Sequence, residues 1–348
     1  MNRAASIALA PLSGLYEFVV GRRDALYRSG VFKQQRVDAP VISVGNLTVG
    51  GTGKTPLVRW IAERLADDGK RVCIVTRGYR RNSKGRVTVS DGSEILATLD
   101  EAGDEALMLA ESLKTKVAVI CDADRVAAAQ FAIENFRSDV IILDDGFQHR
   151  RIARDLDIVL IDATSPWASG HLLPAGTLRE PVSGLKRADC FVVTRAETPT
   201  DLDAAREQLQ RINSAVPVFS SAIKLTGFRE LSDRASAEPG KITLAAFCAV
   251  GNPQSFFSLL KHEDFKLNHS QTFRDHHRYS QSDISSLEKA AGSTGAQALI
   301  TTAKDAVKLR SLKFKLPCYV AEIEIDLQPA DRFLQLISRT IEDFKKKG

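Results

Sequence analysis

From Pro40 onward, short runs of β-branched and apolar residues alternate with longer stretches whose apolar positions recur every three or four residues. The first pattern marks buried strands and the second amphipathic helices. Strands are predicted at Val41–Val44, Val72–Thr76, Val117–Cys121, Val140–Leu143, Ile158–Ile161 and Cys190–Thr194, with helices at Thr55–Asp68, Asp104–Leu113 and Asp124–Asn135. A second series has strands at Val218–Ser221, Ile242–Ala249, Ala298–Thr301 and Tyr319–Ile325, and helices at Pro253–Lys261, Ser282–Ala291 and Pro329–Phe344. Such alternation argues for an α/β protein with a parallel sheet covered by helices. The polar stretch Arg229–Lys241 contains Pro239-Gly240 and is predicted to be a loop or hinge.

Ahead of this series, Leu9, Leu12, Tyr16, Val19 and Val20 recur at helical spacing, in a helix expected to kink or begin near Pro11. Arg3 before Ala4–Ala10 imitates a signal peptide, but Pro11 interrupts that apolar run. The stripe fits either the protein's own core or a membrane surface, and Arg22, Arg23 and Arg28 favour the membrane. Net charge is +5, with 48 basic against 43 acidic residues in 348. In residues 1–36, Arg3, Arg22, Arg23, Arg28, Lys33 and Arg36 face only Glu17 and Asp24. A nucleic-acid binder should be basic throughout, so this end-loaded charge points to an anionic surface and to no nucleic acid. The longest apolar run, Leu244–Val250, is far too short to span a bilayer, and five Cys without a C-x-x-C exclude a disulfide scaffold and a zinc ribbon.

The strand at Val41 runs into Thr48-Val-Gly-Gly-Thr-Gly-Lys-Thr55 and then a helix, which is the layout of a P-loop. The nucleotide-binding candidates are Thr48, Val49, Gly50, Gly51, Thr52, Gly53, Lys54 and Thr55. The glycines let backbone N–H groups surround phosphate oxygens, Lys54 reaches the β/γ-phosphates, and Thr55 can hold Mg²⁺. Thr48 stands where the usual pattern has its first glycine, and Pro56 suits a first helical turn. Asp144 and Asp145, ending the apolar run from Val140, resemble a Walker B segment; two adjacent carboxylates at a strand tip repel unless a cation lies nearby, so both are metal candidates. Thr302-Ala-Lys-Asp305 lacks the spacing of a guanine-binding motif, which favours ATP.

Gly45-Asn-Leu-Thr-Val-Gly-Gly-Thr-Gly-Lys-Thr55, Arg77-Gly-Tyr79, Gly103-Asp-Glu105, Leu143-Asp-Asp-Gly-Phe-Gln-His149, Leu172–Pro181, Gly251-Asn-Pro253, Asp275-His276 and Ala303–Leu309 together resemble the tetraacyldisaccharide 4'-kinase family. The resemblance runs from about Leu12 to beyond Leu309, departing at Ala106, where the family usually has proline, and Ala303, where glutamate is expected. It implies a P-loop domain with a smaller α/β domain joined by a two-stranded hinge, and transfer of the ATP γ-phosphoryl group, with Mg²⁺, to the 4'-hydroxyl of an acylated disaccharide 1-phosphate in lipid A biosynthesis. The implied location is peripheral, at the cytoplasmic face of the inner membrane, as a monomer. The expected division is 1–36 for the membrane-associating segment, 37–193 for the P-loop domain, 194–301 for the closing domain and 302–348 for the hinge return and last helix.

The resemblance implies Asp104 as base, with His276 rather than His277 as its partner, and Lys54 as the charge stabiliser; otherwise Gly103-Asp-Glu reads as a helix N-cap. Gln148 is a candidate nucleotide contact, Glu180 a further metal ligand, and Arg77, Glu105, Arg125, His149 and Arg179 substrate contacts. The alternative from another class is a membrane-associated ATPase switch of the partitioning type. Those loops carry a lysine just before the glycine pair, where this chain has Val49.

Overall fold

The computed structural model describes residues 3–113, 116–167, 170–196, 198–237, 242–263 and 265–347. The chain opens with α1 (Arg3–Arg28), β1 (Val41–Asn46), α2 (Lys54–Asp67), β2 (Val72–Thr76), β3 (Val87–Asp91), α3 (Leu99–Ala102) and α4 (Asp104–Ser112). It continues with β4 (Ala118–Cys121), α5 (Arg125–Phe136), β5 (Val140–Asp144), β6 (Leu156–Asp162), a 3-10 turn at Val182–Arg187, β7 (Cys190–Thr194) and α6 (Pro199–Ile212). The second half holds β8 (Val218–Glu230), β9 (Ser236–Ala237), β10 (Leu244–Cys248), α7 (Pro253–His262), β11 (Leu267–Thr272) and α8 (Gln281–Ser293). Then come β12 (Ala298–Thr302), α9 (Ala303–Ala306), β13 (Cys318–Gln328) and α10 (Ala330–Lys347).

A single 13-stranded sheet runs β11-β10-β12-β13-β8-β7-β6-β1-β5-β2-β4-β3, with β9 paired to β8. Strands β1, β2, β4, β5, β6 and β7 are parallel, and their unbroken apolar runs follow from burial on both faces. One face packs Leu57, Ile61 and Leu65 of α2 and Phe333, Ile337 and Ile341 of α10; the other packs Val126, Ala129 and Ala132 of α5. In the second half, Ile284 and Leu287 of α8 cover one face and Phe256, Phe257 and Leu260 of α7 the other.

Strands β8 and β13 join the halves. Their antiparallel register extends from Ser220↔Gln328 to Glu230↔Tyr319. Only the start of β8 also pairs with β7, and only the start of β13 with β12, so the middle is a two-stranded ribbon. The chain then returns through α10, whose Phe333 ring meets Phe219 at 5.0 Å and Trp60 at 6.0 Å in the first half.

Several elements depart from the sequence reading. Strands β3 and β11 are polar edge strands with one neighbour each, which blunts the apolar signal. Helix α6 is highly charged, yet Thr198 and Asp201 form a capping box with Pro199 in the first turn. A closing domain beginning at 194 would include α6, but its Ala205 and Leu209 pack with Phe191 and Val193 of β7 in the first half. Strand β8 continues to Glu230, where the loop was expected, and β9 pairs back on it; Pro239-Gly240 lie outside the described residues. Helix α1 runs unbroken through Pro11, which forfeits one backbone hydrogen bond. Its apolar stripe splits: Tyr16 and Val20 turn toward the protein, whereas Leu12 and Val19, joined by Leu15 and Phe18, are exposed.

Candidate active site

The P-loop links the buried strand β1 to the start of α2. Gly50 (φ 128°) and Gly53 (φ 86°) adopt backbone conformations that a side chain would strain. Arg179 N–H donates to Leu47 O at 2.8 Å and Val49 N–H to Thr177 O at 2.9 Å, so the loop is tied to the Leu172–Pro181 segment. Arg195 bridges the Gly51 carbonyl and Asp162. Lys54 Nζ donates to Asn46 Oδ1 at 3.0 Å and lies 3.5 Å from Asp145 Oδ1, which aims the ammonium along the end of the sheet. Thr52 is buried with an unpartnered hydroxyl, and Thr55 is half-buried in the first turn of α2.

Asp144 ends β5 and is almost fully buried. Burial, together with the Glu105 and Asp145 charges, pushes its carboxyl up to about 7 against the opposing pull of Lys54 and Arg125. Thr76 Oγ1 donates to it at 3.4 Å. Asp145 sits at φ 56° and behaves oppositely: burial raises its carboxyl, but Lys54 and Arg179 outweigh that and hold it low. Asp145 Oδ1 has no hydrogen-bond partner, and Arg179 donates to Oδ2 at 2.6 Å.

Glu180 is held by two neighbours: its Oε1 accepts from Gln148 Nε2 at 2.9 Å and its Oε2 pairs with Arg187 at 2.8 Å. Gln148 also donates to Asn46 O at 2.9 Å and accepts from Arg179 at 3.4 Å. Gln148 and Glu180 therefore stand behind Arg179 and Asp145 as supports. Arg125 is buried at the start of α5, donates to Asp122 O at 2.5 Å, and has an unpartnered Nε. Its guanidinium is disfavoured first by burial, an effect that Asp144 opposes and nearby Arg77 reinforces. Arg77 itself is exposed. Burial and the Arg125 and Arg154 charges push His149 down to about 4, so its ring is neutral at pH 7.

The second half supplies the other wall. Asp104, the first residue of α4, is buried, and its oxygens lie 2.9 and 3.0 Å from His276 Nδ1. His276 has φ 60° and packs beside Tyr79, ring to ring at 5.2 Å. Its other nitrogen, Nε2, is 3.4 Å from Lys304 Nζ. An ammonium has only donors, so Nε2 accepts and the Nδ1 proton points at Asp104. Burial raises the Asp104 carboxyl, but the His276 hydrogen bond and the charges of Lys304, His276 and Lys308 outweigh it and hold the group below the usual carboxylate range. Lys304 also reaches Glu105 at 3.0 Å and Asp275 at 3.2 Å. His277 turns away, bonding Asp283 at 3.1 Å. Gly251 closes the cleft: a Cβ there would come within 3.0 Å of Gly51 N and 3.5 Å of Asp275 Oδ2.

The structure thus gathers Lys54, Asp144, Asp145, Gln148 and Arg179 on the P-loop side and Asp104, Glu105 and His276 at the meeting of the halves. Sequence reasoning missed Asn46, Lys304, Lys308 and Arg195. Asn46, Lys304 and Lys308 lay inside motifs already noticed; Asn46 accepts from Lys54 only eight residues on, whereas Lys304 meets Glu105, 199 residues away.

A family model described as "LpxK: Tetraacyldisaccharide-1-P 4'-kinase" matches residues 5–342. A tetraacyldisaccharide 4'-kinase of Desulfotalea psychrophila is 40% identical over 343 residues, covering 96% of each chain. One from Halothermothrix orenii is 38% identical, covering 95% of this chain and 91% of the relative. A crystal structure of LpxK from Aquifex aeolicus in complex with ATP superposes with a TM-score of 0.77 at 32% identity, covering 97% of this chain and 99% of that one. A match this long, with the P-loop, the acidic strand tip and the Asp104–His276 pair all in place, makes this chain a member of the tetraacyldisaccharide-1-P 4'-kinase family.

Proposed function

We propose that the chain transfers the γ-phosphoryl group of ATP to the 4'-hydroxyl of a tetraacyldisaccharide 1-phosphate. The observation that carries this reading is the Asp104–His276 contact, contributed by both halves and adjoining the P-loop through Gly251.

The residues present fit a nucleotide with a divalent cation. The unpartnered Thr52 hydroxyl, together with an Asp144 carboxyl pushed up to about 7, is what a strand tip shows when its electrostatics are completed by a cation. Asp144, Asp145 and Thr55 would hold that ion, which, when bound, neutralises charge on the phosphates. Lys54 stabilises the charge developing on the transferred group, and Arg179 fixes Asp145. Asp104 accepts the proton of the attacking hydroxyl, while His276, its Nδ1–H donated to the carboxylate, orients it. Arg125, Arg77 and His149 border the anionic groups.

Under this reading the ribbon of β8 and β13 is the hinge between a P-loop domain and a smaller closing domain. The enzyme is peripheral at the cytoplasmic face of the inner membrane. Among the described residues no helix is long and apolar enough to cross a membrane, whereas α1 and the turn after it expose Leu12, Leu15, Phe18, Val19, Val31 and Phe32 beside Arg22 and Arg28. The test is incubation of the purified chain with ATP, Mg²⁺ and detergent-dispersed tetraacyldisaccharide 1-phosphate. Formation of a phosphorylated lipid supports the proposal; ATP hydrolysis unaffected by acceptor, with no lipid product, refutes it.

A further inference from the structure

Helix α4 carries a third acidic residue that the mechanism does not use. Glu111 lies seven residues after Asp104, and seven residues turn an α-helix through nearly two full turns, so both occupy one face about 10 Å apart. The Glu111 side chain is only 8% exposed. Its partners both come from the second half: Arg310 pairs with Glu111 Oε1, and Arg234, in the turn between β8 and β9, lies 3.7 Å from the same oxygen. Arg310 belongs to the short segment that also delivers Lys304 to Glu105 at 3.0 Å and Lys308 to within 3.8 Å of Asp104. One side of α4 is therefore held acid by acid against one cationic segment.

The halves also meet through Arg80 on Asp275 O at 3.0 Å, Arg278 on Asp100 at 2.8 Å and Val307 in the core of the first half, but the covalent tie is the two-stranded ribbon, and a ribbon without neighbours on either side resists twisting weakly. The reacting end of α4 needs better definition than that, because His276 must meet Asp104 at hydrogen-bond distance. We propose that Glu111, through Arg310 and Arg234, is a positioning residue that sets the rotation of the second half on α4 and thereby the Asp104–His276 contact. Glu111 touches neither the P-loop nor the acidic strand tip. Its effect passes through His276, and this inference rests on the assignment of Asp104 and His276 as the hydroxyl-activating pair.

The experiment is a double-mutant cycle read as kcat/KM for lipid phosphorylation, with nucleotide affinity measured separately. Glu111→Gln keeps the shape and removes the charge. A displacement of about 1 Å at reacting groups costs up to ~10²-fold, so a loss of about tenfold is expected in the otherwise wild-type enzyme, with ATP affinity unchanged. In a His276→Ala background the same change should cost less than about twofold, since the contact it protects is already gone. Arg310→Met should reproduce the loss, and Arg310→Lys, which restores a cation, should recover most of it. An undiminished Glu111→Gln enzyme overturns the proposal. Equal losses in both backgrounds also overturn it, because general damage to the fold is additive with loss of the imidazole. Wild-type enzyme making no phosphorylated lipid would instead defeat the kinase reading, an outcome visible before any variant is compared.

Discussion

Replacing Asp144 with Asn should abolish most activity and yet stabilise the ligand-free protein at alkaline pH. Burial, Glu105 and Asp145 push the folded-state carboxyl from 3.8 up to about 7. A carboxyl raised on folding contributes stability that is fully present below its unfolded value and is lost as pH rises through its folded value. Ionised Asp144 therefore weighs against the fold, by about 4 kcal/mol well above pH 7 at roughly 1.4 kcal/mol per tenfold change. At pH 5 the unfolded chain is mostly ionised already, so part of this is lost by then, and the larger part disappears between pH 5 and pH 8. The amide that Asp144→Asn introduces cannot ionise, is close to the same size, and can still accept from Thr76. Urea titrations of both proteins without nucleotide or metal should show the variant gaining about 2 to 3 kcal/mol relative to wild type between pH 5 and pH 8. Mg²⁺ with nucleotide should reverse the order, because only the carboxylate gains a partner. A stability difference that does not grow with pH, or a variant less stable at pH 8, would refute the claim that Asp144 is an uncompensated buried acid.

Single Asp104→Ala and His276→Ala changes should each depress turnover strongly, and the double variant should fall little further, because the two act as one unit; multiplicative losses measured as kcat would separate them. Lys304→Met removes a cation that holds Asp104 low, so burial gains the upper hand and the acid limb of the kcat/KM–pH profile should move to higher pH; an unmoved limb would contradict the contact network. Leu15→Ser combined with Phe18→Ser alters only exposed positions of α1, so it should lower co-sedimentation with anionic vesicles and activity on vesicle-borne acceptor while leaving thermal stability and nucleotide affinity unchanged; a drop in stability would show that this face is part of the fold.

The P-loop half was legible because its parallel strands are buried on both faces and read as unbroken apolar runs, each ending in a distinctive turn. Asp144 and Asp145 could be found for the same reason: two adjacent carboxylates stand out at the end of the apolar run Val140-Ile-Ile-Leu143. Edge strands β3 and β11 were not legible, since a strand with one neighbour needs no continuous apolar run. Helix α1 was found, but its faces were not. Periodicity grouped Leu12 and Val19 with Tyr16 and Val20, and only the Tyr16 hydroxyl bonding to Arg179 O at 2.8 Å, with Ser13 bonding to Leu172 O, shows which side docks. The partners of Glu180, Gln148 and Arg187, were not legible, because sequence spacing carries no record of such contacts.

The cleft keeps two nearby carboxylates in opposite conditions, and this difference supports their division of labour. Asp104 and Asp144 are both buried, so desolvation pushes each carboxyl upward. Around Asp104, the second half brings His276, Lys304 and Lys308, and the compensation exceeds the desolvation. Around Asp144, the neighbouring acids Glu105 and Asp145 add to the desolvation, and Lys54 and Arg125 do not offset them. One group is thus held ionised by protein charges alone, as a base facing a hydroxyl must be, while the other lacks positive charge in a way that a metal ion repairs. The compensating charges for Asp104 all come from across the interface between the halves. Separating the halves would strip Asp104 of its cations and its imidazole together, leaving burial or water to decide its state. On the proposed mechanism, competence to remove the acceptor proton is therefore tied to apposition of the halves, whereas Asp144 and Asp145, with Lys54 and Arg179, belong wholly to the first half.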